Sequence, residues 1–381
     1  MKSDIRKFMV IAAVLAVGAV CKIDAATEGT EAKILWTHRI TGGDDGTYAG
    51  WPTVTRMRSG ELVIAFSGDR EEHMCPWGKV QEVHSVDQGE TWSSPRTIAN
   101  SLIDNRDAGL VEMPDGSRVL FYFTSLAFTG LMDKHPSWRR HYDKIGGDAV
   151  GRPLEGSWAR VSTDGGRTWS EPKSTIASTP HGAVLLKDGR LLLLGTVTKG
   201  WSRTYWAVES VDGGRTWREV VQLDMAGVKP DFSICEPSLF EGLDGTLHGY
   251  IRCETGEKHL LYTKSSDGGR SWSKVMVSEI DGFPPHFVRL RNGDVVCSYG
   301  RRKPGRGGIF ARVSKNDGKS WGEEIEIARS ENMDLGYAST AELDDGSLLS
   351  AYYFHMNDEH LASLCVTKWS RGHGETSKSV P

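Results

Sequence analysis

The sequence predicts an all-β protein, a six-bladed β-propeller made of four-stranded antiparallel blades. Two repeated patterns lead to this fold class. The phrase Ser-x-Asp-x-Gly-x-Thr/Ser-Trp occurs five times, the last copy with Asn-Asp after its first spacer, at residues 85–92, 162–169, 210–217, 265–272 and 314–321. A turn of Asp, Asn or Ser followed by Gly, set between apolar β-rich runs, occurs six times. Repeats at intervals of tens of residues are typical of propellers and solenoids.

The Trp-bearing phrase is best explained as a structural turn. Its Asp can bond to the backbone of its own turn, its Gly can take a positive φ, and its Trp can fill the gap beneath. The phrase therefore predicts a hairpin and by itself indicates no chemistry.

The second repeat predicts one hairpin per blade. Successive turn glycines are 48 to 73 residues apart, which leaves room for four strands in each interval. One Trp phrase falls late in each of the first five units. The six turns are Ser59-Gly60, Asp115-Gly116, Asp188-Gly189, Asp244-Gly245, Asn292-Gly293 and Asp345-Gly346.

The early strand at residues 32–36 has no partner in the first unit, and the last unit ends in a β-rich run at 361–367. Pairing these two segments would close the ring and remove its exposed edges. Two stacked β-sandwich domains are the alternative, but nothing between residues 40 and 370 resembles a linker.

The first residues indicate an exported protein. Lys2, Arg6 and Lys7 precede an apolar run at 8–20, which is typical of a signal peptide. We expect a signal peptide at 1–26, a single propeller at 27–370 and a polar tail at 371–381. The protein would then be secreted or periplasmic, without membrane insertion; lipidation at Cys21 is an alternative that its neighbours fit poorly.

The net charge of −4 with mixed distribution gives no reason to expect a nucleic-acid partner. His and carboxylate residues lack metal-ligand spacing, so we expect neither metal nor cofactor, and we expect a monomer. An odd number of cysteines follows the signal peptide, which argues against a disulfide framework. Cys235 and Cys253 lie on consecutive predicted strands and could pair if they are opposed.

The residues that enter the innermost strands should form a ring at one end of the central tunnel. Chemistry-bearing side chains occupy these positions in all six units: Trp51, Asp107, His181, Glu236, His286 and Tyr337. A strand start chosen only for structure would be apolar or a turn residue, so we interpret the set as functional.

Arginines at the ends of the second strands should reach the same place. Arg70, Arg252 and Arg301 hold matched positions, and Arg106 is a possible fourth. Any one of them could be a surface ion pair. As a set they favour recognition of a planar anion such as a carboxylate or sulfate.

These motifs resemble the sialidase (neuraminidase) superfamily, whose Asp boxes match the Trp phrases, over about residues 30–370. The resemblance implies that Glu236, in Glu-Pro-Ser-Leu, is the general base, that Arg252 belongs to the family's arginine triad, and that Tyr337, in Gly-Tyr-Ala-Ser, is the nucleophile. It places a second triad arginine at Arg301, with Arg302 or Arg306 as alternatives.

A Tyr nucleophile suits such a substrate. The anomeric carbon of a sialoside bears a carboxylate, which would repel an anionic nucleophile, whereas a neutral Tyr can approach. An unperturbed phenol ionises near pH 10, so a neighbouring carboxylate must take its proton. Tyr nucleophiles are the known exception to the two-carboxylate scheme of glycosidases.

The chain also departs from the family. Gly50-Trp51-Pro52 stands where relatives usually have Arg-Ile-Pro, so Arg70 or Arg106 would have to replace the first arginine. The usual acidic Asp is missing from its loop, which leaves Glu71, Glu72, His73 or Asp107 as the acid. His181 and His286 are not part of the usual set. An atypical branch is indicated.

Three hypotheses follow. The first is a retaining exo-sialidase that uses Tyr337, Glu236 and the arginines. The second is a hydrolase or lyase of uronate-containing or sulfated polysaccharide with His181 or His286 as base. The third is a glycan-binding propeller without catalysis. All three take an acidic glycan as partner, and the inserted segment between Phe128 and Trp158 would be either a lid or subsite wall or a solvated loop.

Overall fold

The structure, a computed structural model, describes residues 32–371 except 44, 200–201, 227, 229–233, 255–257 and 357–359. The predicted signal peptide and nearly all of the polar tail lie outside the described residues. Within them the chain forms six four-stranded sheets arranged as the blades of a propeller, which confirms the predicted fold class.

The first three blades take their strands in chain order from the axis outward. Blade one contains β2 (Tyr48–Arg56), β3 (Leu62–Arg70), β4 (Lys79–Ser85) and β5 (Arg96–Ala99). Blade two contains β6 (Asp104–Glu112), β7 (Arg118–Ser125), β8 (Gly156–Ser162) and β9 (Lys173–Ser174). Blade three contains β10 (Val184–Leu185), β11 (Leu191–Lys199), β12 (Ser202–Ser210) and β13 (Arg218–Gln222).

Blades four and five follow the same order. Blade four contains β14 (Ile234–Glu241), β15 (Leu247–Cys253), β16 (His259–Ser265) and β17 (Met276–Asp281). Blade five contains β18 (Phe283–Arg289), β19 (Val295–Arg301), β20 (Gly308–Ser314) and β21 (Ile325–Arg329). Cys235 lies opposite Arg252, and Cys253 lies opposite Ile234, so the suggested disulfide is not formed.

Blade six closes the ring with strands from both ends of the described chain. It contains β22 (Gly336–Glu342), β23 (Leu348–Phe354), β24 (Ser363–Ser370) and, outermost, β1 (Lys33–Gly42). The β1–β24 ladder runs from Lys33 opposite Ser370 to Gly42 opposite Ser363. The predicted closure is confirmed, and it covers an edge that would otherwise be exposed.

The two sequence repeats have the predicted structural roles. Each of the six Gly turns joins the innermost strand of a blade to the second strand. In each Trp phrase the acidic or amide side chain accepts from the backbone four residues on, as Asp164 does from Thr168 N at 2.9 Å. The Trp packs behind it, and the Trp92 indole donates to Gly89 O at 3.0 Å.

The insertion in blade two is helical, although the sequence predicts only a loop there. A 3₁₀ turn (Ala127–Leu131) leads to helix α1 (Pro136–Ile145) and helix α2 (Asp148–Leu154). Pro136 at the first turn favours the start of α1. Trp138 and Phe128 are fully buried in a small satellite core with Cys75, so the segment packs on blade one. Among the described residues no helix is long and apolar enough to cross a membrane.

Trp369 on β24 provides a test of ring closure. Its side chain is fully buried and its indole donates to Ser350 Oγ at 2.9 Å. Trp369→Ala is expected to lower the free energy of unfolding by about 3–5 kcal/mol, as large-to-small core substitutions do. Urea unfolding measures the loss, and Val86→Ala, at a side chain 84% exposed, is the control that should change little. Equal stability of the two variants would contradict the closure argument.

Candidate functional site

One backbone feature brings the inner-strand residues to a shared mouth of the tunnel. Trp51, Asp107, Glu236 and Tyr337 have positive φ values of 54°, 50°, 51° and 52°. Each lies at a register shift near the start of its innermost strand, in blades one, two, four and six. A bulge of this kind re-aims a side chain, and left-handed backbone costs a non-Gly residue on the order of 1–3 kcal/mol.

Tyr337 and Glu236 meet at this mouth, from blades six and four. The Tyr337 hydroxyl donates to Glu236 Oε1 at 2.6 Å. Arg252 Nη1 donates to Glu236 Oε2 at 2.5 Å and lies 3.4 Å from Tyr337 Oη. The second amino group of Arg252 pairs with Glu254, a residue that the sequence analysis did not predict at the site.

The protonation states of this pair follow from its surroundings. Burial acts to raise the pKa of Glu236, but Arg252 and the Tyr337 hydrogen bond outweigh it, so the net shift is downward. Burial, with the negative charges of Glu236 and Asp107, raises the pKa of Tyr337 well above its usual value. At neutral pH the tyrosine is therefore protonated and donates to an ionised glutamate.

Arg302 rather than Arg301 lies beside Arg252. The two guanidinium groups of Arg252 and Arg302 lie 4.4 Å and 5.9 Å from the ring centre of Phe283. Arg302 Nη2 donates to Tyr353 Oη at 2.6 Å, and Arg302 Nε donates to Leu335 O at 2.9 Å. Neither contact is a carboxylate, so the positive charge of Arg302 is available to an anion.

Arg301 points to a different place, because successive side chains leave a strand on opposite faces. Its Nη1 donates to Glu324 Oε1 at 2.8 Å, its Nη2 also pairs with Glu324, and its Nε donates to Asp281 O at 3.0 Å. The guanidinium packs over Phe310 in the outer part of blade five. The structure does not bring the predicted Arg301 to the mouth.

Arg70 is likewise occupied. Its Nη1 and Nη2 donate to the two carboxylate oxygens of Asp104 at 2.6 and 2.8 Å, and both side chains are fully buried. Arg70 Nη2 also donates to His73 O at 2.9 Å. The guanidinium lies 4.8 Å from the Trp51 ring centre, so it supports the mouth from behind.

Arg106 lies closer to the ring of Trp51, at 4.2 Å, and has weaker partners. Its Nη1 contacts Met74 Sδ at 2.9 Å, its Nη2 lies 3.4 Å from His73 Nε2, and its buried Nε has no hydrogen-bond partner. A cationic group in this state is suited to bind an anion that reaches the mouth.

Asp107 is a carboxyl group suited to hold a proton near neutral pH. Its side chain is buried, and its Oδ1 has no hydrogen-bond partner. Burial raises its pKa to about 7; Arg106 opposes the shift and the negative charge of Glu236 adds to it. Groups with such perturbed pKa values gather at catalytic sites.

His73 reaches the mouth, whereas Glu72 does not. The His73 ring lies 4.9 Å from the Trp51 ring, edge to face, and its Nδ1 lies 2.8 Å from Asp334 Oδ1. Glu72 points the other way and pairs with His135 of the insertion at 2.9 Å. The sequence analysis did not single out Asp334, which lies in the loop before β22, three residues ahead of Tyr337.

His181 and His286 lie next to Tyr337 in the tunnel, in a cavity whose lining includes neither Arg106, Arg252 nor Arg302. Their rings are 5.0 Å apart, and His181 is 6.3 Å from the Tyr337 ring. Burial lowers the pKa of His286 to about 4 and that of His181 well below its usual value, so both are neutral. They line a cavity of about 500 Å³ that runs between the inner strands toward the turn ends of the blades.

Fold and site together define a sialidase-like propeller with a Tyr–Glu pair at its axis. A family model described as a BNR repeat-like domain matches residues 110–350. The chain belongs to this family. No curated protein matches the chain.

Solved structures share the fold at low identity. A protein of unknown function from Dyadobacter fermentans has a TM-score of 0.74 at 23% identity, covering 89% of this chain and 99% of that one. The NanB sialidase from Streptococcus pneumoniae has a TM-score of 0.62 at 15% identity, covering 88% of this chain and 70% of that one. The intramolecular trans-sialidase from Ruminococcus gnavus has a TM-score of 0.61 at 15% identity, covering 92% of this chain and 99% of that one.

The raised pKa of Asp107 has a consequence for stability. An acid whose pKa rises from 3.8 to about 7 on folding binds protons more tightly in the folded state. The contribution of Asp107 to stability is therefore greatest below the unfolded pKa and is lost as pH rises toward 7. Asp107→Asn removes this loss, so its gain in free energy of unfolding should be larger at pH 8 than at pH 5, by on the order of 1–3 kcal/mol.

Urea unfolding at the two pH values measures the effect. Asp115→Asn is the control, because hydrogen bonds from Ser117 lower the pKa of Asp115 and its replacement should give no such gain. A gain for Asp107→Asn that is the same at both pH values would contradict the assignment.

Proposed function

We propose that this protein is an exo-acting glycoside hydrolase that releases a terminal sialic acid or a closely similar acidic sugar from glycans. The observation that carries the proposal is the contact of Tyr337 with Glu236, with Arg252 against both. A protonated phenol that donates to an ionised carboxylate is a nucleophile joined to its base.

The arginines supply the reason for an acidic sugar. Arg252 and Arg302 meet around Phe283 beside the Tyr–Glu pair, and Arg106 lies on the far side of the mouth. Guanidinium groups bind a carboxylate by paired hydrogen bonds. We assign the substrate carboxylate to Arg302 and to the unpartnered Nε of Arg252, with Arg106 in place of the arginine that the family resemblance implies at Trp51.

In the proposed first step, Tyr337 Oη attacks the anomeric carbon and passes its proton to Glu236. The bond to the leaving oxygen breaks, and Asp107 gives that oxygen a proton. Asp107 suits this role because it is buried, has a free oxygen and holds a proton near neutral pH. The product of this step is a glycosyl group on Tyr337, as expected for a retaining enzyme.

The fold shared with the NanB sialidase and the intramolecular trans-sialidase supports the proposal at the level of fold. In the alternative, a hydrolase or lyase of uronate-containing or sulfated polysaccharide, His181 or His286 would act as base. Both lie next to Tyr337 in a cavity whose lining includes none of the proposed substrate-binding arginines, so the geometry favours the sialic-acid substrate over this alternative. Export and an acidic glycan as partner remain predictions.

Tyr337→Phe tests the nucleophile. Release of methylumbelliferone from its sialoside is expected to fall by at least about 10³-fold for Tyr337→Phe, and by about 10²–10⁴-fold for Glu236→Gln. Tyr352→Phe is the matched control, because Tyr352 is equally buried on β23 but its hydroxyl bonds to Thr367. Sialoside cleavage that survives Tyr337→Phe would refute the proposed nucleophile. Wild-type protein that binds sialosides without cleaving them would refute the proposed enzymatic activity.

Arg302 and Arg301 allow a paired test of the carboxylate clamp. Arg302→Met should raise KM for the sialoside by about 10-fold or more, since a charged hydrogen bond contributes roughly 1.5–3 kcal/mol. Arg301→Met should instead lower the free energy of unfolding, because Glu324 loses its partner. Steady-state kinetics and urea unfolding of both variants separate the two roles. The reverse pattern would show that Arg301 holds the substrate.

A further inference from the structure

His73 lies at the mouth with a defined orientation. It belongs to the loop between β3 and β4, and its ring contacts Trp51, which in turn contacts Tyr337 at 6.3 Å edge to face. The side chain is 37% exposed, so a ligand or water molecule can reach it.

The partners of His73 determine its tautomer. Arg106 Nη2 can only donate, and it lies 3.4 Å from His73 Nε2, so Nε2 must be the acceptor. The proton is then on Nδ1, which donates to Asp334 Oδ1 at 2.8 Å. Burial, with the positive charge of Arg106, lowers the pKa of His73 despite Asp334, so the ring is neutral.

Asp334 is held as a fixed acceptor. Tyr48 Oη donates to it at 3.0 Å, and Tyr353 Oη donates at 3.2 Å. Burial acts to raise its pKa, but hydrogen bonds from His355, His73 and Tyr48 bring it far below the usual range. An ionised carboxylate that orients an imidazole through Nδ1–H is the arrangement that makes Nε2 a proton acceptor in other hydrolases.

The loop that carries His73 is fixed from the outside. The indoles of Trp77 and Trp138 donate to the two oxygens of Glu71 at 2.6 and 2.7 Å. Trp138 belongs to helix α1, so the insertion of blade two holds the loop of blade one. Arg70 bonds to the His73 carbonyl from beneath.

We propose that His73 is the base that activates water in the second half of the reaction, and that Asp334 is its positioning residue. This inference rests on the proposed function. Water attacks the anomeric carbon and gives its proton to His73 Nε2. The bond to Tyr337 Oη breaks, its electron pair stays on that oxygen, and Glu236 returns the proton. His73 then loses a proton to solvent and Asp107 regains one.

The experiment separates the two half-reactions. Methylumbelliferone is a good leaving group, so release of the first equivalent needs little acid catalysis. His73→Asn should keep a burst of about one equivalent of product, while steady-state turnover falls by about 10²–10⁴-fold. Intact-mass spectrometry of the quenched enzyme should show the glycosyl adduct. Azide should restore turnover, because it attacks without losing a proton.

Asp334→Asn tests the positioning role. The variant should show a smaller loss of turnover than His73→Asn, and NMR titration of its His73 ring should give a lower pKa than in the wild type, because the hydrogen bond to Asp334 raises the pKa of His73. A role confined to stability would leave this titration unchanged. His259→Gln, on β16 with its ring at Ser278 O, is the control for replacement of a histidine.

The outcomes distinguish this inference from the function on which it rests. Wild-type protein that gives neither product nor adduct overturns both. Wild-type turnover with a normal steady-state rate for His73→Asn overturns only the role of His73. Accumulation of adduct in Asp107→Asn but not in His73→Asn would show that Asp107 serves as both acid and base. The burst amplitude itself reports that each variant is folded.

Discussion

The left-handed backbone at Trp51, Asp107, Glu236 and Tyr337 is the constraint on which the site depends. Each of these residues accepts an unfavourable φ so that its side chain points to the axis instead of into a sheet. The cost is balanced by the closed ring, because each inner strand is held between its own blade and its neighbours. Strain of this kind is found where function requires it, and here the same device is used in four of the six blades.

Trp51, which stands where the sialidase resemblance implies an arginine, determines how charge is arranged at the mouth. The buried indole has one guanidinium at 4.8 Å and another at 4.2 Å. Arg70 is neutralised by Asp104, whereas the polar contacts of Arg106 are with His73 and Met74. Trp51 therefore separates an arginine used for structure from one available to a ligand. Cation–π contacts on an aromatic face stabilise both.

Local repeats made the fold predictable from the sequence, and non-local pairing limited the prediction of the site. The turns and the Trp phrases are short-range patterns with fixed geometry, so blade number, strand order and closure could be predicted. The meeting of Glu236, Arg252 and Tyr337 also followed, since matched positions in different blades reach the same axis. The choice between Arg301 and Arg302 depended on the face of the strand end, which spacing does not fix.

Partners from other blades were beyond the reach of the sequence. Nothing in the run around Arg70 indicates that Asp104 would bind it, and nothing around His73 indicates Asp334, which is 261 residues away. The helices of the insertion were missed because they are short and their packing against Cys75 and Trp77 comes from tertiary contacts. Helical propensity alone is a weak signal in segments of this length.

The position of the site relative to the closure of the ring has a further consequence. Blades one and six supply Tyr48, Trp51, Asp334, Tyr337 and Tyr353, whose rings and carboxylate touch one another across the junction between the first and last blades. That junction is also where β1 joins the end of the chain to its beginning. Partial separation of the two ends would thus dismantle the mouth while four blades remained folded. Loss of the proposed activity would report such opening earlier than circular dichroism.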